Sequence, residues 1–376
     1  MRVIFTCGGT AGHINPALAL AKGLQARKPG TKVLFVGAAG DSMESHLVPQ
    51  AGFELRQVNI NSFRRKLSAE GLRHNLMAAK NIFRSRRQAA AILDEFQPDL
   101  VVGTGGFASY PVTREAARRG IPTAIHESNA VPGLTTKRLA KHVDKVMVGI
   151  AGDIPAHYPD PGKVVVTGTP VRPGFYAKTR KEARQALGIP DDKPLVLSCW
   201  GSLGAVEMNR RMADFLALCV EDGTPFCQIH GTGKWYFEDT VNALKAKGVE
   251  LADYPALDVR AYIDDMPLCM AAADVVLCRA GASTISELIA LAKPAILVPS
   301  PNVTGDHQTK NAKVLADGGG AVLLPETDCT PRRLYDEVRR LLDDPDRRKR
   351  MGEAVAKLAP PDATELILDT LLSLAG

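Results

Sequence analysis

The sequence predicts an α/β protein built from two doubly wound, parallel-sheet domains, and three observations support this class. Short apolar runs rich in Val, Ile and Leu are each followed by glycines and then by a helical pattern. These runs are uninterrupted, which is typical of parallel strands that are covered on both faces. The length of 376 residues fits two domains of roughly 170 to 190 residues each.

The strand-and-glycine units occur as one pair in each half of the chain. In order, they are Val3 to Cys7 before Gly8 to Gly12, Leu100 to Gly103 before Thr104 to Gly106, Leu195 to Cys199 before Trp200 to Gly204, and Val275 to Cys278 before Arg279 to Gly281. The stretch from Tyr158 to Pro173, dense in Pro and Gly, predicts a hinge between the halves. Because ligands of such sheets bind beyond the carboxyl ends of the strands, we expect a site where the two domains face each other across a cleft.

Composition and charge restrict the classes of function. Lys and Arg number 47 against 41 Asp and Glu, a net charge of +6, which mildly favours anionic partners such as nucleotides, pyrophosphates or acidic lipid and does not predict nucleic-acid binding. The seven cysteines are scattered, with no Cys-x-x-Cys pair, which is typical of a reducing cytosol. No apolar run reaches the roughly 18 residues of a membrane span.

The first glycine loop carries the most distinctive histidine. Residues Gly8 to Gly12 lead to His13, and Pro16 is expected to open the helix that follows. Such a loop lets a phosphate or sugar approach the backbone, and the helix amino end favours negative charge. His13 is a candidate general base for a hydroxyl near neutral pH. A histidine that caps the helix or bonds a turn explains its position equally well.

A second polar cluster, His126-Glu127-Ser128-Asn129, follows the apolar run at 123–125. Polar side chains at the carboxyl end of a strand orient sugar hydroxyls or assist a base. They also serve as ordinary turn and capping residues, so both interpretations stay open.

In the second half, small residues again lead into a Ser/Thr helix start. Ser283 and Thr284 are expected to face a diphosphate through their amides and hydroxyls, and Glu287 to accept hydrogen bonds from a ribose diol. The alternative is an ordinary capped helix. A metal site is not predicted, because the Asp-x-Asp at 344–346 lies in a charged turn typical of solvated surface, and no other cofactor is indicated.

The segment from Arg64 to Arg87 combines basic and apolar residues at helical spacing. A basic amphipathic helix of this kind binds anionic lipid, whereas a solvated basic face over a core stripe fits the same pattern. The membrane-binding candidates are Arg73, Leu76, Lys80, Phe83 and Arg84.

Eight motifs, taken in order and spacing, resemble the MurG family, the bacterial enzymes that transfer N-acetylglucosamine from UDP-N-acetylglucosamine to lipid I in peptidoglycan synthesis. The resemblance covers essentially the whole chain. The motifs are the stretches 8–16, 103–106, 126–129, 168–172, 201–205, 263–266, 279–284 and 306–311.

The resemblance implies a GT-B fold of glycosyltransferase family 28. It implies an acceptor and membrane-side domain over residues 1–166, a UDP-N-acetylglucosamine domain over 167–360, and a final helix over 361–376 that returns to the first domain. The implied reaction is an inverting transfer to the C4 hydroxyl of the MurNAc of lipid I, giving lipid II without a cofactor. The implied location is the cytoplasmic face of the cell membrane, on anionic lipid, with other cell-wall synthesis proteins as partners.

The resemblance also implies roles for individual residues. His13 and Glu127 are the positions for acceptor activation, with His13 as the base and Glu127 as an orienting residue or second candidate. Ile263 would contact uracil and Glu287 the ribose. The remaining substrate-binding candidates are Thr10, Gly12, Asn129, Arg172, Ser202, Ala282, Ser283, Thr284, His307 and Gln308.

Two rival functions share part of this pattern. A UDP-N-acetylglucosamine 2-epimerase shares the architecture and donor but needs no lipid acceptor, so the basic amphipathic segment speaks against it. A non-catalytic membrane-recruiting subunit would need only one half, whereas this chain has a glycine loop in each.

Overall fold

The computed structural model describes residues 1–60, 84–358, 360 and 362–376. The membrane-binding candidates Arg73, Leu76, Lys80 and Phe83 lie outside these residues, and Arg84 lies at the edge of the described part. The chain divides into two compact units, the first formed by Met1–Val171 with Ala359–Gly376 and the second by Arg172–Leu358.

The first unit contains a seven-stranded, wholly parallel sheet in the order β3-β2-β1-β4-β5-β6-β7. Its first thirteen elements are β1 Arg2–Thr6, α1 Ala11–Arg27, β2 Lys32–Ala38, α2 Met43–Gln50, β3 Glu54–Val58, α3 with residues 84–96, β4 Leu100–Gly103, α4 Ser109–Arg118, β5 Thr123–Glu127, α5 Leu134–Leu139, β6 Lys145–Val148, α6 Ile154–His157 and β7 Val164–Val166.

The second unit contains a six-stranded, wholly parallel sheet in the order β10-β9-β8-β11-β12-β13. Its elements are α7 Arg180–Leu187, β8 Leu195–Cys199, α8 Val206–Glu221, β9 Cys227–Gly231, α9 Phe237–Lys245, β10 Leu257–Arg260, α10 Met266–Ala272, β11 Val275–Cys278, α11 Ala282–Ala290, β12 Ala295–Leu297, α12 His307–Asp317, β13 Ala321–Leu323, α13 Pro331–Leu342 and α14 Pro345–Ala356. The predicted class, two parallel-sheet α/β domains, is confirmed.

Side chains of the first sheet alternate between two apolar layers, as the period of a strand requires. Val3 and Phe5 of β1 face a layer that includes α1, and Ile4 faces the opposite layer with α3 and α4. The last helix, α15 Ala363–Ala375, belongs to the first layer and packs on α1. Leu368 of α15 fits against Gly23, where a Cβ would lie 2.9 Å from Leu368 Cδ1.

One expectation about α1 was wrong. The helix begins at Ala11 and not at Pro16, so that His13 lies in its first turn. The first amides of a helix need no acceptor within it, and the ring of Pro16 leaves only one carbonyl of that turn without its usual donor. Within the described ranges, no helix combines the length and the apolarity needed to cross a lipid bilayer.

Candidate active site

Each sheet has one point where the strand order reverses direction. In the first unit it lies between β1 and β4, and in the second between β8 and β11. Ligands of doubly wound sheets bind beyond the carboxyl ends of the strands at such a point. The predicted glycine loops follow these four strands, so the predicted candidates gather at two places, one in each unit.

In the first unit, the glycine loops after β1 and β4 lock together through their backbones. Gly106 has φ +81°, and a Cβ there would lie 2.2 Å from the carbonyl oxygen of Gly8. At Gly105, with φ +110°, a Cβ would lie 2.6 Å from His13 Cδ2. The hydroxyl of Thr104 donates to the carbonyl oxygen of His13 at 2.7 Å. Glycine is required at 105 and 106 both by space and by backbone conformation.

His13 is half-buried, and this loop holds its ring. Nδ1 lies 3.0 Å from the carbonyl oxygen of Gly8 and 3.3 Å from Thr10 Oγ1. A carbonyl oxygen can only accept, so the neutral ring carries its proton on Nδ1 and has its lone pair on Nε2. His13 therefore bonds the turn, as one interpretation expected, and also keeps an unprotonated nitrogen, as a base requires.

Glu127 is the last residue of β5 and is buried, with 4% of it exposed. Oε1 accepts hydrogen bonds from the backbone N–H and the side-chain amide of Asn129, at 3.1 and 2.9 Å. Oε2 accepts from the backbone N–H of Gly133 and the hydroxyl of Thr136, at 3.1 and 2.6 Å. Each carboxylate oxygen of Glu127 thus accepts two hydrogen bonds. These four bonds hold the loop after β5 in place, which fits an orienting role for Glu127.

His126 connects the end of β5 to the last part of this unit. Its Nε2 donates to the carbonyl oxygen of Gly168 at 2.9 Å, and its Nδ1 lies 3.4 Å from Ser128 Oγ. Burial lowers the pKa of His126, so its ring is neutral near pH 7. The cluster at 126–129 therefore combines a structural histidine with a fixed carboxylate.

In the second unit, the carboxyl ends of β8 and β9 and the first two turns of α11 enclose a cavity of about 650 Å³, open to solvent. Its lining residues are Arg172, Cys199, Gly201, Ser202, Gly231, Gly233, Tyr262, Ile263, Met266, Thr284 and Glu287. The structure therefore brings five predicted donor residues, Arg172, Ser202, Ile263, Thr284 and Glu287, to one cavity. Ala282 and Ser283 share the first turn of α11 but lie outside this lining.

The carboxyl of Glu287 is an acid of this cavity whose pKa is strongly shifted. Burial raises its pKa to about 7, and the charge of Arg172 opposes this rise. The nearest guanidinium nitrogen of Arg172 is 3.9 Å from Glu287 Oε1. A half-buried carboxyl, with 18% of its side chain exposed, is suited to accept hydrogen bonds from a pair of neighbouring hydroxyls.

Glycines shape the mouth of the cavity. A Cβ at Gly204 would lie 2.0 Å from the carbonyl oxygen of Thr232, and a Cβ at Gly233 would lie 2.5 Å from that of Leu203, so the loops after β8 and β9 touch through their backbones. Beside them, at Gly201, a Cβ would meet nothing within 4 Å. This arrangement leaves the hydroxyl of Ser202 and the end of β8 facing open space.

The predicted sugar contacts lie at the start of α12, outside the cavity lining. Gln308 uses its carbonyl oxygen to accept the backbone N–H of Ser300 at 2.9 Å, which leaves its amide nitrogen as the donor for another group. His307 is the first residue of the same helix.

Three lining residues, Gly231, Gly233 and Tyr262, lie outside every motif that the sequence analysis singled out. For the two glycines a signal was present, because His230-Gly231-Thr232-Gly233 repeats the pattern of a strand followed by glycines. Tyr262 directly precedes the predicted motif at 263–266 and has no pattern of its own. Among the described residues, no group of three or more His, Cys, Asp or Glu side chains is arranged to hold a metal ion.

The comparison with known families identifies both halves of the chain. Residues 3–148 match the glycosyltransferase family 28 N-terminal domain, and residues 196–367 match the glycosyltransferase family 28 C-terminal domain. The chain belongs to glycosyltransferase family 28. The resemblance that the motifs indicated is thereby confirmed.

Two members of the family show the extent of the similarity. The chain is 40% identical over 371 residues to a protein of Acetivibrio thermocellus, covering 99% of this chain and 97% of that one. It is 37% identical over 374 residues to a protein of a Thermoanaerobacter species, covering both in full. Each is named UDP-N-acetylglucosamine--N-acetylmuramyl-(pentapeptide) pyrophosphoryl-undecaprenol N-acetylglucosamine transferase.

Among solved structures, the chain is similar to MurG of Acinetobacter baumannii, with a TM-score of 0.78 and 29% identity over 99% of both chains. It also shares its fold with the UDP-GlcNAc 2-epimerase of Neisseria meningitidis, with a TM-score of 0.65, covering 99% of this chain and all of the other. At 14% identity, that second likeness concerns the fold of the family alone.

Proposed function

We propose that this chain transfers N-acetylglucosamine from UDP-N-acetylglucosamine to the MurNAc C4 hydroxyl of undecaprenyl-pyrophosphoryl-MurNAc-pentapeptide, lipid I, and so forms lipid II. The observation that carries the proposal is the 40% identity, over 99% of the chain, to a transferase named for this donor and acceptor. The donor cavity of the second unit and the histidine loop of the first supply the groups that such a reaction needs.

The donor binds in the cavity of the second unit. Glu287 accepts the ribose hydroxyls, Ile263 lies beside the uracil, and the hydroxyls of Ser202 and Thr284 donate to the diphosphate. Negative charge grows on the diphosphate as the sugar leaves, so donors fixed before the reaction stabilise the transition state. Arg172, whose side chain is 63% exposed, adds a positive charge at the cavity edge.

The acceptor hydroxyl binds at the histidine loop of the first unit. Its oxygen attacks the anomeric carbon of the donor sugar, the bond from that carbon to the UDP oxygen breaks, and UDP leaves with the electron pair. The hydroxyl proton moves to Nε2 of His13, the nitrogen that carries the lone pair. A single displacement inverts the anomeric carbon and gives a β1,4 linkage. Glu127 orients the loop beside Asn129 and does not itself receive the proton.

The test is an assay of the purified protein with radiolabelled UDP-N-acetylglucosamine and a lipid I analogue. We expect label in the lipid product, and none when the acceptor is left out. An isomerised UDP-sugar formed without acceptor would instead identify an epimerase, and binding of UDP without either product would identify a non-catalytic protein. Repeating the assay with a chelator and with added Mg²⁺ tests whether a metal ion takes part.

We further propose that the first unit attaches to the cytoplasmic face of the cell membrane through anionic lipid. The exposed side chains of Arg84 and Arg87 on α3 support this, because they continue the basic segment of the sequence. An adjacent cavity of about 640 Å³ has the apolar groups of Ile60 and Pro111 beside Arg114, while its Arg86 and Arg118 pair with Glu115. Arginine beside apolar surface is typical of contact with anionic headgroups.

Vesicle sedimentation tests this attachment. We expect the protein to sediment with phosphatidylglycerol vesicles and not with phosphatidylcholine vesicles, and the double variant Arg84→Glu, Arg87→Glu to sediment less. The control is Lys349→Glu, Arg350→Glu, the same charge change at exposed positions of the second unit. Equal loss in both variants would mean that net charge alone determines binding.

A further inference from the structure

Glu44 is a fully buried carboxylate of the first unit that the proposed reaction has not used. It lies in the first turn of α2, and 0% of it is exposed. Among the described residues, no Lys, Arg or His forms an ion pair with it. Its oxygens instead accept two backbone hydrogen bonds, Oε2 from Gly9 N at 3.2 Å and Oε1 from Ala38 N at 3.1 Å. A buried carboxylate requires such donors.

Two glycines make room for this carboxylate. A Cβ at Gly8 would lie 2.7 Å from Glu44 Oε1, and a Cβ at Gly37 would lie 2.6 Å from Glu44 Cγ. The end of β2 and the first glycine loop are therefore both built around the Glu44 side chain. Because Gly8 and Gly9 belong to the loop that holds His13, Glu44 is joined to the candidate base.

The connection runs through a single peptide group. The amide N–H that Glu44 accepts is that of Gly9, and the carbonyl oxygen that His13 Nδ1 contacts at 3.0 Å is that of Gly8. These two groups belong to the same trans peptide, in which N–H and C=O point in opposite directions. Glu44 and His13 thus bind opposite sides of one peptide plane, in the chain Glu44 carboxylate, Gly9 N–H, Gly8 C=O, His13 Nδ1–H.

Hydrogen bonds in such a chain strengthen one another. A carboxylate that accepts from a peptide N–H polarises the peptide group and makes its carbonyl oxygen a better acceptor. A better acceptor at Nδ1–H fixes this tautomer, orients the ring, and increases the electron density at Nε2, the nitrogen that takes the substrate proton.

We propose that Glu44 is a positioning residue for the transfer reaction and acts on His13 through the Gly8–Gly9 peptide group. Glu44 acts as a carboxylate that orients a catalytic histidine, but a peptide group lies between the Glu44 carboxylate and the His13 ring. The acceptor proton ends on Nε2, Nδ1 keeps its own proton, and none moves along the peptide. The effect on rate rests on the proposed function, whereas the hydrogen-bonded chain is a property of the protein alone.

Two further titratable groups lie beside this chain, and both are neutral near pH 7. Burial raises the pKa of the Cys7 thiol, and the charge of Glu44 raises it further. Burial lowers the pKa of His126, and the nearby His13 lowers it further. Neither group therefore adds a charge beside the Gly8–Gly9 peptide near pH 7.

The test compares Glu44→Gln with Glu54→Gln, which removes an exposed carboxylate of the same unit. For Glu44→Gln we expect kcat to fall about tenfold, less than the 10²- to 10⁴-fold expected for loss of a base, with unchanged UDP affinity. Its acidic limb in the kcat–pH profile should move to lower pH, since the weaker base holds its proton less tightly. Glu54→Gln should match the wild type. A loss of kcat with no movement of the limb, or no loss at all, would overturn the proposal.

A measurement on the wild-type protein does not depend on how the variant folds. With ¹⁵N-labelled histidine, and the His13 signals identified by their loss in His13→Ala, we expect the neutral His13 ring to be protonated on Nδ1. A neutral ring protonated on Nε2 would contradict the proposal. Failure of the proposed function would look different, because the wild type itself would then form no labelled lipid.

Discussion

The two points of strand reversal have the same topology but differ in how the loops after the strands are arranged. In the first unit, the backbones of two glycine loops touch, and the polar groups of His13 and Glu127 are held by named partners. In the second unit, the loops leave a cavity, with open space beside Gly201 and a half-buried Glu287 carboxyl without a fixed donor set. The difference separates two tasks, since a base needs fixed geometry, whereas a nucleotide site needs room and groups that a ligand completes.

The largest expected effect separates the two places by function. His13→Ala should lower kcat by about 10²- to 10⁴-fold, because general base catalysis contributes that much. UDP affinity, measured by calorimetry, should not change, because no group of the donor cavity is touched. His46→Ala, an exposed histidine of the same unit, is the control. Turnover equal to that of the wild type would remove His13 from the role of base.

The locked loops of the first unit should not tolerate a methyl group. Gly106→Ala places a Cβ 2.2 Å from the Gly8 carbonyl oxygen at φ +81°, and we expect a loss of about 3 kcal/mol or more in the free energy of unfolding. Gly120→Ala, with φ +71° and no atom within 4 Å, should lose about 1 kcal/mol. Urea unfolding measures both, and equal losses would show that the loops are not locked.

The carboxyl of Glu287 should make UDP binding depend on pH. Burial raises its pKa to about 7, and only the ionised form has all its lone pairs open to ribose hydroxyls. UDP affinity should therefore rise several-fold, by up to about tenfold, between pH 6 and pH 8. Glu287→Gln should bind more weakly at pH 8 and show no such rise, whereas the exposed control Glu250→Gln should follow the wild type. A flat wild-type profile would contradict the role of Glu287.

Glu287→Gln should increase the stability of the fold at pH 8, although it weakens UDP binding there. Because the folded pKa of Glu287 lies above the ordinary 4.5, its favourable contribution is complete below about pH 4.5 and is lost as the pH rises through 7. Gln has no charge to bury, so Glu287→Gln should be more stable than the wild type at pH 8 by about 1–3 kcal/mol and not at pH 4.5. Unfolding at both pH values tests this. A variant less stable at pH 8 would show that Glu287 is stabilised by a partner.

The smallest expected effect distinguishes two neighbours on α11. Thr284 lines the donor cavity and Ser283 does not, so Thr284→Val should weaken UDP binding about fivefold, the value of one hydrogen bond of roughly 1 kcal/mol. Ser283→Ala should stay within about twofold. The reverse result would mean that the nucleotide lies on the other side of this turn.

The sequence predicts the strands of this fold better than its site. The bounds predicted from continuous apolar runs agree with the structure at Leu100–Gly103, Leu195–Cys199 and Val275–Cys278, since a strand buried on both faces is apolar along most of its length. The sequence predicts the start of α1 too late, at Pro16, because the first turn forms from Ala11 although its first amides have no acceptor within the helix.

The site depends on contacts between residues distant in the chain, which a single sequence does not display. The sequence shows the glycine loops, but it does not show that Gly106 contacts Gly8. Glu44 looks like an ordinary helix residue until its two amide donors, from Gly9 and Ala38, are seen. Whether Ser283 or Thr284 faces the cavity depends on the direction of one helical turn, which the spacing of small residues does not determine.

The return of α15 to the first unit has a consequence for synthesis on the ribosome. Three buried side chains of the first apolar layer, Ile367, Leu368 and Leu371, are translated after the whole second unit. The second unit is continuous from Arg172 to Leu358 and has all its strands before that point. The domain made first therefore completes its core last, and a nascent chain stalled before Ala363 would expose the apolar groove of α1 to chaperones.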